Sequence, residues 1–136
     1  MIAGIGTDLL RVSRIHTAFE LRGMRFVRRI LGARELAVFE WRFERNRERG
    51  LLFLSTRFAA KEAFSKAVGL GLRQPMSWRA VEFVNAPSGK PEVVLNEPLK
   101  SWCAERGLSF HVSMTDEADM VCAFVVAEAS GGKTEG

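Results

Sequence analysis

Between Leu51 and Val68 the chain contains neither Gly nor Pro, and alanines and straight-chain residues dominate. That is the composition of a helix, and it constrains everything around it. At about 100° per residue, Ala59, Ala60, Ala63, Phe64, Ala67 and Val68 share one broad apolar face. Arg57, Lys61, Glu62 and Lys66 fall outside that face, yet Leu54 and Phe58 sit among them. A helix apolar on nearly every side belongs in an interior. Charges on such a helix must pair, bind a ligand or meet a metal, because an isolated buried charge is very costly. Three cations around the Glu62 carboxylate form the charge pattern of a polyanion site that also holds a divalent cation. The same residues also fit a surface helix with an i,i+4 Glu62–Lys66 pair, which contributes roughly a few tenths of a kcal/mol.

A length of 136 residues accommodates one domain with a real core, taken here as 1–129. No apolar run approaches the roughly 20 residues of a membrane span, and no cationic segment leads into an apolar stretch at the N-terminus. Cys103 and Cys122 are too few for a disulfide framework and fit reduced thiols in a cytoplasmic protein. Charge is unevenly spread. Arg11 to Arg49 holds eleven Arg and five Glu, or +6, whereas Gln74 to the end holds five cations and nine acids, or −4. Arginine suits planar, multidentate recognition of carboxylate or phosphate, so the cationic half points to an acidic partner, protein or nucleic acid.

The first apolar run, Ile2 to Leu10, predicts a short buried strand punctuated by Gly4 and Gly6. Asp8 is a lone acid within it. It fits the N-cap of the next helix, and it equally fits a metal ligand at a strand end. Helical spacing follows over Val12 to Leu21, Met24 to Leu31 and Ala33 to Phe43, with Gly23 and Gly32 as stops. Arg42 to Arg49 reads as a solvated face or loop, and Gly69-Leu70-Gly71 ends the central helix. After Pro75 the pattern turns to strands. Ala80–Val84 and Pro91–Leu95 predict a hairpin around the turn Asn85–Lys90. Pro98–Arg106 predicts a short helix. Leu108–Met114 and Met120–Ala127 predict a pair of strands joined by the acidic turn Thr115–Asp119. Residues 130–136 read as a disordered tail. Helices first and an antiparallel sheet after argue for an α+β fold, with the long central helix packed on the sheet.

Several stretches resemble one family. Gly4-Ile5-Gly6-Thr7-Asp8-Leu9 with Arg14-Ile15 resembles the opening motif of bacterial holo-acyl-carrier-protein synthases. Arg57-Phe58-Ala59-Ala60-Lys61-Glu62-Ala63-Phe64-Ser65-Lys66-Ala67 resembles their second motif, whose core is Lys-Glu-x-x-x-Lys. Gly89-Lys90-Pro91 and His111-Val112-Ser113 match later landmarks, and Arg25-Phe26 with Arg29-Ile30-Leu31 fits a cationic helix.

The resemblance implies the phosphopantetheinyl transferase fold. It implies transfer of the 4′-phosphopantetheine arm of coenzyme A to a serine of apo acyl carrier protein, with release of 3′,5′-ADP. It implies dependence on Mg²⁺ and a homotrimer with coenzyme A in clefts between subunits. It carries the metal role onto Asp8 and Glu62, and catalysis onto Glu62 and Lys66. Coenzyme A binding falls on Asp8, Arg57, Lys61, Lys66, Gly69, Gly71, Lys90 and Pro91. Carrier-protein docking falls on Arg14, Arg22, Arg25, Phe26 and Arg29, with Arg28 on the same surface. The docking arginines are expected to lie away from the Lys66 phosphate site.

The residue chemistry agrees with that assignment. Mg²⁺ is commonly held by one or two carboxylates plus substrate phosphates. Asp8 and Glu62 can supply them only if the first strand's end meets the middle of the central helix. Glu62 or a metal-bound water then accepts the serine proton, and the sequence does not choose between them. The chain departs from the family pattern at Arg11, where many members have Glu, at Leu70, where Thr is common, and at Asp116, where some members carry His. Leu54 and Phe58 on the charged side of the central helix predict burial against a second subunit. The competing function is a small basic nucleic-acid-binding protein, motivated by the arginines and a pI near 9.6. No recognised binding motif accompanies them, and the aromatics are spaced for an interior.

Overall fold

The computed structural model describes residues 1–130, so all but the first residue of the expected disordered tail lies outside the described residues. Among the described residues five strands and five helices alternate in blocks. β1 (Ile2–Arg11) leads into α1 (Val12–Arg22), α2 (Met24–Ile30), α3 (Ala33–Arg45) and the long α4 (Arg47–Val68). Then come β2 (Val81–Asn85), β3 (Pro91–Leu95), α5 (Leu99–Glu105), β4 (Leu108–Glu117) and β5 (Met120–Ala129). β5 is the centre of a three-stranded antiparallel sheet in the order β1-β5-β4, and β2 pairs with β3 as a separate two-stranded ribbon. The α+β expectation holds, with one difference: the first strand joins the last two.

α4 runs through the middle of the molecule. Of its 22 residues fourteen are buried, which rules out the surface-helix reading. It begins a turn earlier than its composition predicts. Asn46 caps it by accepting from the Arg49 N–H at 3.1 Å, so part of the charge run read as a loop is the helix's first turn. Gly50 is tolerated inside the helix because Phe43 of α3 lies where its Cβ would stand. Leu54 is fully buried within the chain, and Phe58 packs between Phe26 and Trp78, with ring centroids 6.2 and 4.7 Å away. Leu54 therefore needs no second subunit to cover it, contrary to expectation, and Phe58 is already partly covered within the chain.

β1 is not the fully buried strand its sequence predicts. It is an edge strand with two unlike faces. Gly4, Gly6, Asp8 and Leu10 turn toward α4, whereas Ile2, Ile5 and Leu9 are more than half exposed. Phe124 of the adjoining β5 extends that open apolar face. On the covered face, Gly4 and Gly6 decide how closely the layers approach. A Cβ on Gly6 would penetrate the Ala63 carbonyl, and one on Gly4 the Ala67 carbonyl. The bare glycine backbone thus lies directly on α4, opposite its alanine face.

Candidate active site

That close approach fixes what comes next on the same face of β1. Asp8 follows Gly6 by two residues and so points the same way. The N-cap of α1 is Arg11, so Asp8 does not serve as the helix cap. Its Oδ1 lies 3.5 Å from Lys66 Nζ, and the same ammonium donates to the Thr7 carbonyl at 2.8 Å. Glu62 stands one helical turn before Lys66, on the same side of α4.

Burial pushes the Asp8 carboxyl above its ordinary value, against the pull of Lys66 and the weaker pull of Arg14. Burial likewise raises Glu62, the charge of Asp8 raises it further, and Lys66 and Arg14 oppose both. Two half-buried carboxylates, the second of them raised further by the charge of the first, are relieved by a cation between them. Among the described residues no three His, Cys, Asp or Glu side chains converge into a metal cage. Two oxygen-donor residues beside an open face match a cation that draws its remaining ligands from substrate and water, as Mg²⁺ does.

Gly69 and Gly71 close the same end of α4. Gly69 is the left-handed C-cap at φ 79°, and Gly71, at φ 61°, donates its N–H to the Ser65 carbonyl at 3.1 Å. Arg73 folds over this turn, donating to the carbonyls of Leu70 at 2.8 Å and Gly69 at 3.2 Å. The sequence reading missed that cation.

Arg57 is elsewhere. It lies nine residues before Lys66, half a helical revolution away. Its Nε donates to the Phe83 carbonyl at 3.1 Å, its Nη1 to Thr56 Oγ1 at 3.2 Å, and the guanidinium lies 4.2 Å from the centre of the Phe53 ring. Burial lowers its pKa to about 10, which leaves it charged at neutral pH. With Arg42, Asn85, Gly89, Pro91 and Asp116 it lines a cleft of about 230 Å³. Lys90 and Pro91 also edge a groove of about 600 Å³ between β3 and β4. Within one chain the expected coenzyme A residues thus form two clusters, one around Asp8, Glu62 and Lys66 and one around Arg57, Gly89 and Pro91.

Lys61 requires a correction. It is fully buried, and its ammonium is consumed by Glu35 Oε1 at 2.6 Å and the carbonyls of Trp78 at 2.7 Å and Val81 at 2.8 Å. Three donors meet three acceptors, so none remains for a phosphate. Burial raises the pKa of Glu35 and lowers that of Lys61, and each charge holds the other against this. Glu35 carried no signal in the sequence, because at the start of α3 it reads as an ordinary first-turn acid.

The docking residues Arg14, Arg22, Arg25 and Arg29 are exposed on α1 and α2, and Phe26 is half-buried against Phe58. Arg14 is close enough to Asp8 and Glu62 to lower both pKa values, so it is not remote from the Lys66 site.

The model of the 4′-phosphopantetheinyl transferase superfamily matches residues 4–125. The chain belongs to that family. A holo-(acyl-carrier-protein) synthase from Leptothrix cholodnii is 53% identical over 131 residues, covering 96% of this chain and 99% of the relative. One from Bordetella pertussis is 55% identical over 127 residues, covering 93% of this chain and 83% of the relative. The crystal structure of the synthase from Neisseria meningitidis superposes with a TM-score of 0.87 at 43% identity, covering 94% of this chain and 99% of that one. A Bacillus anthracis synthase solved in complex with coenzyme A (3′,5′-ADP) gives a TM-score of 0.80 at 32% identity, covering 96% of this chain and 99% of that one. The α+β architecture is therefore that of the phosphopantetheinyl transferases over nearly the whole chain. No helix among the described residues is long and apolar enough to cross a membrane.

Proposed function

We propose that this phosphopantetheinyl transferase moves the 4′-phosphopantetheine arm of coenzyme A onto a serine of apo acyl carrier protein and releases 3′,5′-ADP. The observation that carries the reading is the convergence of Asp8, Glu62 and Lys66 from two elements, within a chain that matches the family along its length. The serine oxygen attacks the phosphorus that bears the pantetheine arm. The bond from that phosphorus to the pyrophosphate bridging oxygen breaks, and its electrons leave with 3′,5′-ADP. Lys66 faces the charge that grows on the departing phosphate, a role an ammonium fills when held in place before the reaction. Its tether to the Thr7 carbonyl supplies that hold. Glu62 accepts the serine proton. In the metal-free protein its neighbour Asp8 and its burial both raise its proton affinity.

Asp8 and Glu62 are the residues that hold Mg²⁺ in this reading, and a bound Mg²⁺ supplies charge neutralisation on the pyrophosphate oxygens. Lys66 binds the pyrophosphate end of coenzyme A and Asp8 reaches it through the metal, while Gly69 and Gly71, whose N–H groups close the end of α4, leave open space beside it. Arg57, with Lys90 and Pro91 beside it, binds the nucleotide end.

Because these two clusters lie apart in one chain, the site closes between neighbouring subunits of a homotrimer. The open apolar strip of Ile2, Ile5, Leu9 and Phe124 supports that assembly. Arg14, Arg22, Arg25, Phe26 and Arg29 receive the acidic carrier protein. The two free cysteines suit a reducing cytoplasmic setting. The nucleic-acid reading draws no support from Phe19, Phe39 and Phe43, which pack on one another.

The deciding experiment incubates the protein with coenzyme A, Mg²⁺ and an apo acyl carrier protein. A carrier mass increased by one phosphopantetheine arm, with 3′,5′-ADP released in equal amount, supports the reading. An unchanged carrier mass across several bacterial carriers overturns it.

A further inference from the structure

Phe83 of β2 has both of its backbone polar groups turned away from the ribbon partner β3. Its N–H donates to Glu35 Oε2 at 2.8 Å, and its carbonyl accepts from Arg57 Nε at 3.1 Å. Glu35 in turn accepts from the Gly32 N–H at 3.1 Å and from Lys61 at 2.6 Å, both at Oε1. Lys61 also holds the β2 backbone directly, at Val81. One buried ion pair therefore ties three elements together: the start of α3, the middle of α4 and the strand β2.

The next residue repeats the tie. Glu82 accepts from the Arg34 N–H at 2.9 Å, from Arg34 Nη1 at 2.8 Å, from the Glu35 N–H at 3.1 Å and from Asn96 Nδ2 at 3.2 Å. These contacts matter because the β2–β3 ribbon is not hydrogen-bonded into the main sheet. Its position relative to α4 has to come from side chains. Two residues beyond Phe83, Asn85 lines the Arg57 cleft, and so do Gly89 of the adjoining turn and Pro91 at the start of β3.

A buried ion pair is an expensive way to add stability, since apolar residues of the same volume often serve as well. Its better-attested use is to fix register. We propose that Lys61 and Glu35 are positioning residues for coenzyme A: acting through Phe83, they hold Arg57 and the β2–β3 turn in the geometry that binds the nucleotide end. Lys61 thus serves the site without touching the substrate. The inference rests on the reading that the Arg57 cleft takes that end of coenzyme A.

The test is a double-mutant cycle between the neutralised pair E35Q/K61M and R57A, read as separate KM and kcat for coenzyme A and as the Kd for 3′,5′-ADP. All measurements are made well below each variant's melting temperature. We expect E35Q/K61M to raise the coenzyme A KM and the 3′,5′-ADP Kd on the order of tenfold, with kcat nearly unchanged and the carrier-protein KM unmoved. In the R57A background the same change should add little, because both act on one contact. If the neutralised pair does not fold, E35D enters the same cycle. It keeps both charges and withdraws the carboxylate by one methylene from Phe83.

A lowered kcat at unchanged KM would mark a merely structural pair and overturn the proposal. So would effects that multiply in the cycle. If R57A itself leaves the coenzyme A KM unchanged while transfer continues, the reading of the cleft fails, and the inference fails with it. If R57A raises KM and E35Q/K61M does not, the inference alone fails.

Discussion

Lys66 on α4 joins Asp8 and Thr7 on β1, with its Nζ 3.5 Å from the Asp8 carboxylate and 2.8 Å from the Thr7 carbonyl. The ammonium is therefore shared between a charge and a backbone dipole of the same strand. Removing it should release both. Lys66→Ala is expected to lower kcat by about two orders of magnitude, the loss typical when one positioned charge leaves a transition state. Lys66→Arg, whose planar head does not reproduce a point contact, should recover only part of it. Steady-state transfer assays with saturating carrier protein measure this directly.

The carboxylate pair makes a prediction about stability as well as rate. Asp8 and Glu62 bind a proton more tightly when folded than when unfolded, so each opposes folding once ionised, and its cost grows as pH rises through the raised pKa. Without divalent cation, Glu62→Gln should then stabilise the protein at neutral pH. The gain stays below about 1 kcal/mol because solvent screens a half-open group. With Mg²⁺ added, the wild-type melting temperature should rise and that of Glu62→Gln should not. Transfer should fall at acid pH as protons compete with the cation for the two carboxylates, and added Mg²⁺ should move that fall to lower pH. A variant that keeps both its activity and its Mg²⁺-dependent melting shift would refute the metal assignment.

Gly6→Ala is predicted to be far more harmful than its single methyl group implies. The new Cβ meets the Ala63 carbonyl, and neither backbone can yield without moving β1 off α4. The expected cost is about 3 kcal/mol, accompanied by loss of transfer because Asp8 moves with the strand. Denaturant melts compare it with Gly69→Ala. That position is strained at φ 79° but has open space around it, so its cost should be nearer 1 kcal/mol.

Carrier docking separates Arg25 from Arg14. Arg25→Glu with Arg29→Glu should raise the carrier KM and flatten its salt dependence, leaving coenzyme A unaffected. Arg14→Glu should alter both KM values, because Arg14 also acts on Asp8 and Glu62. Salt slopes that match the wild type in the Arg25/Arg29 variant would exclude this surface as the docking face.

Assembly is tested on the open strip of β1. Ile5→Lys with Leu9→Lys introduces charge on the exposed face without touching the core. Sedimentation should show the wild type as a trimer and the variant as a monomer, and the variant should lose activity in step. A fully active monomeric variant would sink the idea that the site closes between subunits.

Much of this was legible in the sequence, and the boundary has physical causes. α4 announced itself because a run without Gly or Pro and apolar on all sides has few alternatives. The pairing of Asp8 with Glu62 was not visible from spacing and came from resemblance, since the residues lie on separate elements whose close approach depends on Gly4 and Gly6. Lys61 misled because its neighbours Glu62 and Lys66 face the site, whereas a helical step of about 100° turns Lys61 toward Glu35. Leu54 and Phe58 misled for a similar reason: α2 and the loop holding Trp78 cover that side of α4, and local sequence carries no sign of what covers a face.

The pairing of the first strand with the last has a consequence for how the molecule comes into being. β1 lies at one edge of a sheet whose middle strand, β5, is the final one in the chain, and the Ala129 N–H closes onto the Met1 carbonyl. During synthesis, β1 leaves the ribosome with its ladder partner more than a hundred residues away. Contacts of such sequence separation form late and slowly. Until they do, Asp8 has no fixed strand to stand on. A chain cut short before β5 can carry every residue named here for catalysis and still lack a site.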